Sequence, residues 1–392
     1  MNDNLSERAR PYLDKIRQIA PIIRENADRA EREAQLPSEV AEAFHQTGLF
    51  RILLPREMAG GDVTIPDSLH LCEEVGAIDG SAGWNLAICS SSPLFSNCLS
   101  RNAFDKIYSD PRAVGCGSLN PMTSQAVRTE GGWVFTGRAT YASGSAQSNW
   151  LLSAALVLHD GAPRFVNDVP ELRAGVFPMD NAKILDTWHM SGMSGTGSND
   201  CVFENVLVTD EYTFDWLNAQ PAWRGRPYQT IPLTMQFAGN LACVILGVAR
   251  HALDELKRIA QAKVPVATRA TLRERPIAQV QVAQAEGLLQ AGRAWFYNVS
   301  DEIWQRGVVG DTFTLQDRAN ARLASVTATK LALQAVDLVA DAAGMNANQV
   351  ASPISRCWRD AHTASQHVLL NTARFEVIGR VLFGLDPGSP VI

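Results

Sequence analysis

Apolar residues fall into three rhythms along the chain. From Tyr12 they recur at Ile16, Ile19, Ala20 and Ile23, the spacing of one helix face. Pro37 opens a second helix carrying Val40, Phe44 and Leu49, since a proline in the first turn forfeits no needed N–H. Gly48 and residues 55–61 (PREMAGG) break that rhythm into turns. Between about residues 113 and 215 the pattern shortens. Trp133, Val134 and Phe135 follow the turn pair Gly131-Gly132, the apolar run 151–158 ends at the hairpin signal Asp160-Gly161, and 201–208 is a further strand-like run. From about residue 230 long helices return: 278–297 holds only Gly287 and Gly292 as breakers, and Leu323, Val326, Leu333, Val336 and Ala340 continue one face until Gly344 stops it. The pattern predicts an α+β chain with an N-terminal helical domain (1–112), a middle β-domain (113–220) and a C-terminal helical bundle (221–392). Both faces of the late helices are fairly apolar, which implies helix-on-helix burial, between subunits included.

Composition narrows the function classes. A chain of 392 residues exceeds one core, and 46% hydrophobic with 19% charged residues is globular rather than disordered. A net charge of −6 argues against a nucleic-acid partner, which needs a basic face to replace phosphate counterions. The seven cysteines are scattered without C-x-x-C spacing, so reduced thiols in a cytoplasmic protein are expected. The start MNDNLSERARPYLDKI lacks the apolar core of a signal peptide, and the longest apolar run, 241–249, is far short of the ~20 residues of a membrane span, so no membrane association is expected. The seven histidines form no H-E-x-x-H and no cluster with Cys or Asp, so no metal site is expected; no nucleophile elbow or Walker loop is present.

Several residues carry candidate chemistry, each with a plain alternative. His367 is a potential proton acceptor or hydrogen-bond donor, although a lone histidine is more often satisfied within a bundle. His362 lies five residues earlier, about 140° away on a helix. Ser143, in Tyr-Ala-Ser-Gly, suits a turn as well as a site. Thr196 and Ser198 sit in Gly-Thr-Gly-Ser, a loop that brings backbone close to a ligand or makes a tight turn. Gly344 reads as a helix C-cap, and Trp84 as core.

Read in order, several stretches resemble the acyl-CoA dehydrogenase superfamily over nearly the whole chain: Leu36-Pro37 with 47–50 (TGLF) and 55–61, then 131–144 (GGWVFTGRATYASG), 188–200 (WHMSGMSGTGSND) with 206–208 (VLV), and 356–360 (RCWRD). The chain looks most like the oxygenase component of the two-component flavin-dependent monooxygenases, the hydroxyphenylacetate hydroxylase and dibenzothiophene monooxygenase type. Acyl-CoA dehydrogenases use a glutamate as base, in most members eight residues after the arginine–aspartate pair; here that position is Val368. The family's second location for the base, 237–244 (FAGNLACV), has no acid either.

The resemblance assigns roles. His367 falls where the monooxygenases carry a pocket histidine, and a pKa near 6.5 would let it deprotonate or orient a phenol or indole. Ser143 stands for the serine beside flavin N5, Thr196 and Ser198 face the flavin, and Gly344 belongs to a turn that meets a neighbouring subunit's flavin. Arg273 lies near the phosphate-contacting arginine, but the dehydrogenase glycine there is absent, which leaves FMN and FAD both open. Trp84 matches a substrate-side helix, with Ser92, in a serine run where relatives carry a histidine, and Ser118 completing the substrate set. The implied fold is that of acyl-CoA dehydrogenases, with a β-barrel-like middle domain and a four-helix bundle assembling into a homotetramer. The implied reaction takes reduced flavin (FMNH2 or FADH2) from a separate NAD(P)H-dependent flavin reductase and O2 as co-substrate. Through a C4a-hydroperoxyflavin it oxygenates a small aromatic or heteroaromatic molecule. The alternatives are an acyl-CoA dehydrogenase with bound FAD and a non-catalytic helical scaffold.

Overall fold

The structure, a computed structural model, describes residues 5–221, 223–389 and 392. Met1–Asn4, the polar start of the chain, lies outside them. The N-terminal region is helical: α1 (Arg10–Glu33), α2 (Ser38–Thr47), α3 (Ile65–Gly76), α4 (Gly80–Ser96) and α5 (Arg101–Tyr108). The stripe read from sequence is the buried face of α1, with Leu13, Ile16, Ile19, Ala20 and Ile23 inside. Pro37 precedes α2 as its N-cap, and Gly48 closes it in the left-handed conformation. Thr64, Asp79 and Ser100 cap α3, α4 and α5 by accepting a backbone N–H three residues on, which fixes each start.

The β-barrel-like region expected in the middle takes the form of a mixed sheet. Its strands are β1 (Gly115–Ser118), β2 (Ser124–Thr129), β3 (Gly132–Ala139), β4 (Trp150–His159), β5 (Ala162–Pro163), β6 (Phe165–Val166), β7 (Val169–Pro170), β8 (Leu172–Pro178), β9 (Lys183–Leu185), β10 (Asp200–Thr209) and β11 (Thr213–Asp215). The sheet runs β11-β8-β4-β2-β3-β10-β9, with β1 and β5 also on β4, and β6 pairs β7 apart from it. Asp160 and Gly161 turn between β4 and β5, both at positive φ, as a two-residue hairpin requires. Phe135, Phe177 and Phe203 pack edge to edge in a core of their own beneath the sheet.

After a short α6 (Leu233–Gln236), the bundle comprises α7 (Ala242–Ala260), α8 (Pro276–Val309), α9 (Leu315–Ala343) and α10 (Pro353–Ala364), and α11 (Arg374–Leu382) lies on α9. The apolar run 241–249 is the buried start of α7, which α3 and α9 cover. Gly344 ends α9 as read from sequence. Among the described residues one helix, spanning Leu315–Asn348, is long and apolar enough to cross a membrane by length and composition; it is a bundle helix that carries Arg322 on its buried face. All seven cysteines are buried and unpaired.

Two ionic ties join helical region to bundle. Arg356 on α10 meets Asp28 and Glu31 of α1, and Arg359 meets Glu31 and donates to the Ser191 carbonyl at 2.7 Å. Glu73 of α3, 1% exposed, pairs with Arg293 of α8 and accepts from the Tyr297 hydroxyl. Removing one partner of such a pair strands a charge in the core, which costs about 3–5 kcal/mol. Arg293→Met is therefore expected to lower unfolding free energy by about that much in urea titration. The double change with Glu73→Gln should recover part of the loss. Equal stability of Arg293→Met and the parent would contradict this.

Candidate active site

The site forms where the end of β3, the loop before β10 and the first turns of α4 converge. After β3 the chain passes through Tyr141 (φ 55°) to Ser143 and Gly144 (φ 79°). A Cβ on Gly144 would stand 2.7 Å from Cys89 Sγ, so only glycine fits both the angle and the space. Three bonds zip this segment onto the loop that follows β9. The Tyr141 N–H donates to Asp200 Oδ1 (3.0 Å), the Ala142 N–H to the Asn199 carbonyl (2.9 Å), and the Gly144 N–H to the Thr196 carbonyl (3.0 Å).

The glycines of 188–200 serve packing. A Cβ on Gly192 would lie 2.2 Å from the Arg359 carbonyl of α10, and one on Gly195 would lie 2.8 Å from Ala30 Cβ of α1. The loop is thus clamped between α1, α4 and α10. Asp360, of the arginine–aspartate pair, accepts the Met193 N–H. Burial first, and then the neighbouring Asp79, push the Asp360 carboxyl up to about 7.

Within this frame four residues form a directed hydrogen-bond relay. The Trp84 indole N–H donates to Ser143 Oγ at 3.0 Å, Ser143 Oγ lies 2.7 Å from Ser198 Oγ, Ser198 Oγ lies 2.6 Å from Thr196 Oγ1, and Thr196 Oγ1 lies 2.7 Å from the Met193 carbonyl. The carbonyl has no proton, and two bare oxygens at 2.7 Å would repel, so the Thr196 hydroxyl donates to Met193. Ser198 must then donate to Thr196, and Ser143 to Ser198. Ser143 consequently offers a ligand only an acceptor lone pair.

His367 follows α10 and meets the edge of the Trp84 ring, with centroids 5.8 Å apart. Its Nδ1 accepts the Leu369 N–H at 3.2 Å, so in the neutral ring the proton is on Nε2. Burial, then the charge of Arg322, push the imidazole down to about 4. This corrects the expectation of a pKa near 6.5: the ring is a neutral donor at pH 7, suited to orienting a substrate and poorly suited to deprotonating one. Among the described residues no carboxylate hydrogen-bonds to Ser143, Trp84 or His367. Val368, at the dehydrogenase base position, is 57% exposed, and 237–244 packs inward, with Asn240 donating to the Ala87 carbonyl of α4 at 2.9 Å.

Ser143, Thr196, Ser198, Trp84 and His367 thus come together as read from sequence. Among the described residues, Ser92, Ser118, Arg273 and Gly344 form no hydrogen bond to them. The Ser92 hydroxyl is 3.3 Å from the Tyr108 hydroxyl, and Ser118 accepts the Asn120 N–H at 3.4 Å. Arg273 is exposed and bonds Gln261, while Gly344 (φ 58°) caps α9 in open space. His362 pairs with Asp337, apart from the site. Asp360 was missed as an anchor, and Arg322 was missed altogether.

An acceptor at Ser143 suits a partner that donates a hydrogen better than one that accepts. Fold and site place the chain in the acyl-CoA dehydrogenase class, with no acid at either usual position of the dehydrogenase base, Val368 and 237–244. The N-terminal domain signature of acyl-CoA dehydrogenases matches residues 6–105, and the C-terminal domain signature matches residues 240–372. The chain is 31% identical to an indole-3-acetate monooxygenase of Pseudomonas putida over 91% of this chain and 90% of that protein. It is 27% identical to the flavin-dependent monooxygenase oxygenase subunit HsaA of Mycobacterium tuberculosis, over 98% of each. The solved structure of XiaF from a Streptomyces species, in complex with FADH2 and glycerol, shares the fold with a TM-score of 0.90 at 22% identity over 98% of each chain. The chain belongs to the acyl-CoA dehydrogenase family, among its flavin-dependent monooxygenases.

Replacing Ser198 by Ala frees the Ser143 proton. The ratio of oxidised to reduced FMN dissociation constants, measured anaerobically, is then expected to fall several-fold. An unchanged ratio would contradict the relay's direction.

Proposed function

We propose that the chain is the oxygenase component of a two-component system, fed reduced flavin by a separate NAD(P)H-dependent reductase, and that it oxygenates a small aromatic or heteroaromatic molecule. The observation that carries this is the Ser143 oxygen, its proton committed to Ser198 and, among the described residues, no carboxylate hydrogen-bonded to it. When bound, the reduced flavin supplies the electrons that activate O2. The protein's part is orientation and exclusion of water. Ser143 would hold the reduced ring by accepting a hydrogen bond from it, and Trp84, which donates to Ser143 Oγ, fixes that hydroxyl. His367 donates through Nε2 to an oxygen on or near the substrate. Thr196 and Ser198 act through Ser143 as positioning residues.

Assembly into a homotetramer is part of the proposal. Exposed apolar residues on the long bundle helices, Ile277, Val280, Val308, Val309 and Leu315 among them, support burial between subunits. Seven unpaired thiols suit the reducing cytoplasm.

The decisive experiment supplies chemically reduced FMN or FAD, 18O2 and an aromatic probe such as indole. One labelled oxygen in the product is expected, and an acyl-CoA offered instead should be returned unchanged. Failure to label any aromatic probe, or formation of an enoyl thioester, would overturn the reading.

His367 also makes a pH prediction. Because its folded pKa is depressed to about 4, the ring stays neutral from pH 6 to 8, and turnover should show no inflection near 6.5 from this group. His367→Gln, which keeps an N–H donor, should retain turnover within about tenfold, and His367→Leu should lose more. A wild-type inflection near 6.5 that vanishes in His367→Gln would show that the histidine is a base.

A further inference from the structure

Arg322 projects from the buried face of α9 and is 2% exposed, yet its Nε, Nη1 and Nη2 are all without a hydrogen-bond partner. The other buried arginines are satisfied. Arg51 reaches the carbonyls of Asp110, Met58 and Tyr108. Arg224 reaches the Leu53 carbonyl and Asp62, Arg293 reaches Glu73, and Arg356 reaches Asp28 and Glu31. No acid offsets the Arg322 charge; the one charge that acts on it is a second cation, Arg374. Arg374 has its own buried, unpartnered Nε, and Asn371, one turn before it, a buried, unpartnered Oδ1. A buried guanidinium with no counter-ion destabilises the fold, and the arrangement makes sense when a ligand completes it.

That ligand must carry an oxyanion, because the guanidinium is a planar fork of donors with no acceptor. Its location follows from the turn that joins His367 to Arg374: the Asn371 N–H donates to the His367 carbonyl at 3.0 Å and the Arg374 N–H to the Asn371 carbonyl at 3.1 Å, while the His367 ring meets the edge of Trp84. The unpaired cation, next to Arg374 and felt by the imidazole, therefore lies towards His367.

We propose that Arg322, assisted by Arg374, binds a carboxylate carried by the aromatic substrate, so that the enzyme selects aryl acids over their neutral analogues. This rests on the monooxygenase reading of the same site. The substrate's ring lies towards Trp84 and His367, and its acid group points into the bundle towards α9. The flavin's phosphate is the other oxyanion that could reach a free arginine, and the test separates the two.

The experiment measures binding of indole-3-acetate and of neutral indole-3-acetamide to the holoenzyme loaded with reduced FMN under anaerobic conditions, by quenching of tryptophan fluorescence. The wild type is expected to prefer the acid by about tenfold or more, the worth of one charge-assisted pair. Arg322→Met should bind the two equally, while its ligand-free melting temperature equals or exceeds that of the wild type, because an uncompensated charge has gone. Equal binding of acid and amide by the wild type, or a preference that survives Arg322→Met, would overturn the proposal. So would a loss of affinity for reduced FMN in the variant with none for reduced riboflavin, which would give Arg322 to the phosphate. Should Arg322→Met not fold, Arg322→Gln and the wild-type acid–amide comparison decide the matter. Oxygenation of neutral 3-methylindole under 18O2 keeps the two readings apart. Labelled product without acid preference defeats this inference alone, and acid preference without any labelled product defeats the monooxygenase reading.

Discussion

The backbone of Met193 is the junction on which the site depends. Its N–H is held by Asp360 from the bundle, and its carbonyl takes the Thr196 hydroxyl. The first bond fixes where the loop before β10 lies against α10, and the second fixes which way every proton in the relay points. From that single constraint follow the direction of Ser198, the commitment of the Ser143 proton and the acceptor character of the atom that would meet the flavin. The same carbonyl also receives the Trp188 indole N–H at 2.9 Å, which holds the loop in register with its own start.

Function follows from polarity and from the lack of a base. A dehydrogenase needs a carboxylate that can take a proton; this site offers an acceptor hydroxyl on one side and a neutral imidazole donor on the other. Asp360 is a buried acid that the relay meets through Met193, and its carboxyl is occupied by Met193 and packed against Gly80. Burial first, and then the charge of Arg322, keep the imidazole neutral.

Local features were legible in the chain. The stripe of α1, the hairpin at Asp160-Gly161 and the stop at Gly344 each depend on residues a few positions apart, and the structure has them where the pattern puts them. The gathering of Ser143, Thr196, Ser198, Trp84 and His367 was legible only through family likeness. The polarity of their bonds was not legible, because it depends on contacts between positions 84, 143, 193, 196 and 198. The packing role of the glycines in 188–200 was not legible for a related reason: a glycine needed for packing against Arg359 and Ala30 looks the same in sequence as one needed for a ligand. His367 read as a histidine of ordinary pKa because burial and Arg322 act through space. A signal for Arg322 did exist, since it interrupts a stripe of small and apolar positions at Ala319, Val326 and Thr329, spaced as one helix face.

A Ser143 that can only accept should stabilise a flavin ring with hydrogen on N5. Potentiometric titration of FMN bound to the wild-type protein measures this directly. The midpoint of the bound two-electron couple should lie above that of free FMN, by about 30 mV for each tenfold preference for the reduced form. A bound midpoint equal to or below the free one would mean that Ser143 presents its proton instead, and the direction assigned to the relay would be wrong.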